Sequence, residues 1–186
     1  ARAPATRSAS LISQSPLAGA PLYAFPPFGL LALSIASVTL GIARGAIGDL
    51  VELAGGKTPT GSTRPLATRP DTQARVARAQ AALDAAQALV AAAVADAWDA
   101  ARGGEPVAAV HRAALRRAAT HATETAARVT SDMYALGGGT SVYASSPLQR
   151  RHRDVHVATQ HALVGAATWE LTGRLALGLE TDVGQL

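Results

Sequence analysis

The chain has 186 residues, of which 48% are hydrophobic and only 16% charged, with a formal net charge of +4 and no cysteine. The missing cysteines exclude disulfides and thiolate metal sites, and 4% aromatic residues leave a core of small aliphatic side chains. Alanine is the best helix former and a poor strand former, so this composition points to packed helices and an all-α fold. The basic excess is mostly arginine around a single lysine, Lys57. It shows no stripe interleaved with aromatic residues or glycines, so no nucleic-acid partner is expected.

Residues 1–27 read as the tail of a preceding β-domain followed by a linker, and residues 28–186 as a helical domain. The most apolar run, Phe28 to Ala43, is shorter than the roughly 20 residues a membrane span needs. Arg44 and Asp49 continue its helical pattern, so a buried core helix is expected and no membrane. This first helix is expected from Phe28 to Ala54, ending at Gly55-Gly56. Within it Gly41, Gly45 and Gly48 weaken a helix, and such glycines commonly admit the close approach of another backbone or a ligand.

The second helix is expected from Pro70-Asp71 to Arg102, with proline and acid in its first turn. The third runs from near Glu105-Pro106 to Leu136, and the fourth from Ser146 to Leu177. Ser146 and Gln149 have the spacing of a capping box, with Pro147 at the first helical position. Helices of this length with short connections make an up-down four-helix bundle. Alanine all round the second and third helices implies burial on several faces, and hence oligomerisation.

The titratable groups gather in "SSPLQRRHRDVHVATQHALVG", Ser145 to Gly165. On one continuous helix Asp154, His161 and Gly165 share a face, Asp154 and His161 lying about 20° apart, whereas His156 and His161 lie about 140° apart. His152 and His156 would need a third ligand from elsewhere to hold a metal, so none is expected. Just upstream, three glycines followed by Thr140 and Ser141 present backbone N–H groups and hydroxyls of the kind that hold phosphate or a flavin edge.

The segment "GGGTSVYASSPLQRRHRDVHVATQHAL" resembles the C-terminal domain of the acyl-CoA dehydrogenase fold. It is most similar to the branch of two-component flavin-dependent monooxygenases that hydroxylate phenols and related aromatics. "LGIARGAIGDLVELA" and "RPDTQARVARAQAALDAA" resemble the first two helices of that domain. The resemblance implies a cytoplasmic homotetramer assembled through these bundles. Reduced FMN or FAD would come from a separate reductase and lie between the bundle, a middle β-domain and a neighbouring subunit.

It further implies that Gly138, Gly139, Thr140 and Ser141 contact flavin and that Arg64 reaches the flavin phosphate of a neighbouring subunit, with Lys57 and Arg69 as alternatives. Many acyl-CoA dehydrogenases carry a catalytic glutamate where Arg153-Asp154 aligns Ala162, and an alanine takes no proton. His161 beside it suits a group that polarises or deprotonates a phenolic substrate, with His156 second. Gly165 would leave room for a flat ring, and Tyr23, Phe25 and Phe28 would wall the substrate pocket. Two other readings are carried: an acyl-CoA dehydrogenase whose base lies elsewhere, and a non-catalytic helical fragment that only self-associates.

Overall fold

A computed structural model describes residues 20–186. The expected end of a β-domain before residue 20 lies outside the described residues. The remainder is helical: α1 (Pro21–Ala24), α2 (Pro27–Gly56), α3 (Pro70–Arg102), α4 (Ala109–Gly137), α5 (Pro147–Thr159) and α6 (Ala167–Ala176). Short 3-10 turns at Leu66–Thr68, Gly138–Val142 and Ala162–Val164 join them.

Four of these helices start on proline, at Pro21, Pro27, Pro70 and Pro147. Proline has no N–H to leave unpaired there, and its fixed φ suits the first turn. Ser146 does precede Pro147, but its hydroxyl makes no capping bond. Its carbonyl instead accepts from Arg150 N at 3.4 Å.

Alanine sets the packing. α2 buries Ala32, Ala36, Leu40, Ala43, Ile47, Leu50 and Ala54, a stripe at helical spacing. It meets Ala119, Ala122, Ala126, Val129 and Met133 of α4 in one core. α2 and α4 run parallel: Gly29 faces Leu115, Thr39 faces Thr123, and Lys57 meets Gly137. α3 runs against both, since Arg75 near its start pairs with Asp132 near the end of α4. α5 likewise descends antiparallel to α4, from Leu148 against Gly137 to His156 against Ser131.

α4 is therefore enclosed by its own chain on nearly every side. α3 is not: it buries the single stripe Thr72, Ala79, Leu83, Ala86, Ala93, Ala97 and Ala101. Ala81, Ala85, Ala88 and Ala92 on its far side are exposed. α2 and α3 are each long and apolar enough by composition to cross a membrane, but α2 turns its apolar stripe into the core.

The fourth helix differs from the expected Ser146–Leu177. α5 stops at Thr159, and His161 is extended, with φ −74° and ψ 129°. A tertiary bond accompanies the break. The Leu163 carbonyl, which a continuous helix would use internally, accepts instead from Arg116 of α4 at 3.2 Å. Asp154 and His161 consequently do not share a helical face, and Asp154 pairs with its neighbour Arg153. Gly41, Gly45 and Gly48, which the sequence set together, also part company. Only Gly45 is closely approached, by the Arg151 guanidinium, while Gly41 and Gly48 face open space.

Candidate functional site

The Gly137–Thr140 turn closes the C-terminal end of α4. Gly138 has φ 55°, a left-handed value that favours glycine. A side chain on Gly137 would collide with the Ser141 hydroxyl, 2.1 Å from where its Cβ would sit. Lys57, at the end of α2, donates to the Gly137 carbonyl and, at 2.7 Å, to the Thr140 hydroxyl. A positive charge at a helix C-terminus is stabilising, because it meets the unpaired carbonyls and the negative end of the helix dipole. An ammonium has three N–H donors, so this arrangement leaves one.

Two cavities flank Lys57. One, of about 740 Å³, is lined by Lys57, Arg69, Leu66, Gly138, Gly139 and Thr140 among others. The second, about 640 Å³, lies toward Asp49, Glu52, Ser145 and Ser146. The first offers two cationic side chains, a glycine backbone and a hydroxyl. That donor set fits an anion such as a flavin phosphate, and it contains no carboxylate. Ser141 is turned inward, its hydroxyl donating to the Tyr134 carbonyl at 2.7 Å, and it lines neither cavity. Arg64 is exposed in the same α2–α3 connection, where its backbone carbonyl accepts from the Ser62 hydroxyl. It lines neither cavity, whereas Lys57 and Arg69 both line the larger.

The histidines lie lower along the bundle. α5 has 13 residues and separates the glycine turn from His161 by about 20 Å. His161 is exposed, and its Nδ1 accepts from Leu163 N at 3.2 Å. With Nδ1 accepting, the neutral ring carries its proton on Nε2 and presents a donor there. Ala162, beside it, is also exposed, and Gly165 is half-buried.

His152 sits at the centre of a stack. Tyr134 and His156 lie on it, each with ring centroids 4.5 Å away, and Ser131 Oγ lies 3.1 Å from His156 Nε2. Burial, then the neighbouring His156, hold the His152 pKa below the usual histidine value. No sequence spacing signalled this stack, because half of it comes from α4.

Tyr23, Phe25 and Phe28 separate. Phe25 is buried with Leu33, Ala93, Ala97, Leu115 and Ala118, its ring 6.4 Å from that of Trp98. Tyr23 is 61% exposed, and Phe28 is half-buried. The Phe25 cluster reaches Leu115, about 30 Å along α4 from Gly137, so Phe25 and the glycine turn occupy opposite ends of the bundle.

Residues 33–165 match the family described as acyl-CoA dehydrogenase, C-terminal domain. Among curated relatives, an indole-3-acetate monooxygenase of Pseudomonas putida is 35% identical over 89% of this chain and 43% of its own length. The chain thus spans less than half of that relative. Among solved structures, a 3-HSA hydroxylase from Rhodococcus sp. RHA1 superposes with a TM-score of 0.78 at 28% identity, covering 89% of this chain and 42% of that one. XiaF from a Streptomyces species, solved with FADH2 and glycerol, superposes with a TM-score of 0.80 at 26% identity, covering 87% and 41%.

Proposed function

The chain belongs to the family of acyl-CoA dehydrogenase C-terminal domains, and we propose that it is the C-terminal part of a flavin-dependent oxygenase component. In this reading the whole protein hydroxylates an aromatic or phenolic substrate with reduced flavin and molecular oxygen. The observation that carries the reading is the 35% identity to an indole-3-acetate monooxygenase across 89% of the chain. The local chemistry agrees with it. Where the dehydrogenase resemblance expects a glutamate, Ala162 offers only a methyl group, and the imidazole beside it is exposed.

Bound flavin supplies the oxygen-activating redox chemistry; the residues of this chain bind, orient and manage protons. Gly138, Gly139 and Thr140 take the phosphate-bearing part of the cofactor, with Arg69 and the remaining Lys57 donor beside them, while the exposed Arg64 reaches the flavin phosphate of a neighbouring subunit. His161 holds the substrate hydroxyl or the reacting oxygen through its Nε2 donor, and His156 is the second choice. Gly165 leaves space for a flat ring, and Tyr23 and Phe28 have surface free to face it. The cofactor is FMN or FAD, delivered reduced by a separate flavin reductase. The assembly is a homotetramer, and the compartment is the cytoplasm.

The test uses the full-length protein, with FMN or FAD reduced beforehand, in aerated buffer with indole-3-acetate as the probe aromatic. A hydroxylated product is expected. Bleaching of bound flavin by an acyl-CoA, with no hydroxylation of the aromatic, would establish the dehydrogenase reading instead.

A further inference from the structure

Among the described residues, Arg116 is the only charged side chain in the buried interior, at 4% exposure. No carboxylate among those residues pairs with it. Burial lowers its pKa, because a charge withdrawn from water without a counter-ion is unfavourable. An apolar side chain of similar length would fill the same space without that penalty. The guanidinium is therefore kept for the groups it bonds.

Those groups come from three separate segments. Nε donates to the Leu163 carbonyl at 3.2 Å, Nη2 to the Thr168 hydroxyl at 3.4 Å, and Nη1 to the Gln185 carbonyl. One turn earlier on α4, Arg112 donates to the Val183 carbonyl at 3.3 Å. Arg116 thereby ties α4 to the break in the fourth helix, to the start of α6 and to the segment around Gln185.

Leu163 is the common element. Its carbonyl is held by Arg116, and its N–H donates to Nδ1 of His161. We propose that Arg116 is the positioning residue for His161: by holding the Leu163 carbonyl it orients the residue whose N–H meets Nδ1, and so sets the imidazole's tautomer and the direction of its free nitrogen. Without the Arg116 bond, the Leu163 carbonyl is released to rejoin helical hydrogen bonding. The N–H then leaves Nδ1, and the ring is free to exchange tautomers. Arg116 does not touch substrate; it acts through the 160–166 break. This inference rests on the assignment of His161 as the reactive group.

The tautomer is read without turnover, by nitrogen NMR of the chain labelled with 15N-histidine, using His161→Asn to assign the signal. The unaltered chain is expected to show His161 mainly as the Nε2–H form. In Arg116→Gln, checked as folded by circular dichroism, the signals move to a mixture of both tautomers. If Arg116→Gln does not fold, Arg116→Lys replaces it. An ammonium cannot hold Leu163, Thr168 and Gln185 in one plane, and a partial shift in the same direction is expected. An unchanged tautomer in whichever folded variant is measured overturns the proposal.

In the full-length oxygenase, Arg116→Gln should lower the share of consumed oxygen that appears in hydroxylated product by about tenfold. The same change on a His161→Ala background should cost nothing further, and an equal further loss there also overturns the proposal. If His161→Ala leaves hydroxylation intact, the assignment of His161 falls, while the tautomer measurement still judges Arg116.

Discussion

Arg151 crosses α2 directly over Gly45, where an added Cβ would lie 2.2 Å from Nη1 and 2.3 Å from Cζ. The guanidinium grips Asp49 with two nitrogens, and this hydrogen bonding raises the Arg151 pKa. Gly45→Ala should push the arginine off its partner and cost about 1–3 kcal/mol. Gly48→Ala meets nothing within 4 Å and should stabilise the chain by about 0.5–1 kcal/mol. Urea denaturation of the two variants checks both signs. Which of Gly41, Gly45 and Gly48 receives Arg151 was not legible in sequence, because it depends on how α5 crosses α2. A second consequence concerns His152. Its folded pKa lies below the ordinary value of 6.5, so the unfolded chain takes up its proton first as pH falls. Stability therefore declines as pH drops below about 6.5, toward the lower folded pKa. The drop in Tm between pH 7.5 and pH 5 should be smaller in His152→Phe than in the unaltered chain. Equal drops would mean that His152 carries none of this dependence.

Lys57 shows how two helices are joined at their ends. It closes α4 by bonding Gly137 and Thr140 while standing at the terminus of α2. Lys57→Met should cost about 1 kcal/mol and loosen the glycine turn, measurable as faster amide exchange at Gly138–Thr140. Unchanged exchange there would remove Lys57 from that role. Helix starts at Pro70 and Pro147 and the all-α class were readable from local chemistry, because proline and alanine act through their own backbone. The break at Thr159 was not readable. No residue between Ser146 and Leu177 demands it, and Arg116, which bonds the chain just beyond it, lies more than forty positions away. The argument that placed Asp154, His161 and Gly165 on one face rested on a continuous helix and fell with it. His161 stays a candidate because it is exposed beside Ala162, in the position the family resemblance marks.

Burial all round α4 is satisfied within one chain, so alanine content alone did not require a partner. The open alanine face of α3 is a different matter, because small side chains allow another helix to approach closely. If the bundle assembles into a tetramer through that face, Ala85→Glu with Ala88→Glu should lower the sedimentation coefficient toward that of a monomer while leaving helicity intact. An unchanged coefficient would place the interface elsewhere or remove it. The chain spans 43% of its curated monooxygenase relative, so the proposed reaction is tested most directly in a full-length protein. With reduced flavin, oxygen and an aromatic substrate, full-length His161→Ala should keep consuming oxygen but release it as hydrogen peroxide, with hydroxylated product falling at least about a hundredfold. Hydroxylation at the unaltered rate in that variant would contradict the assignment of His161 as the reactive group.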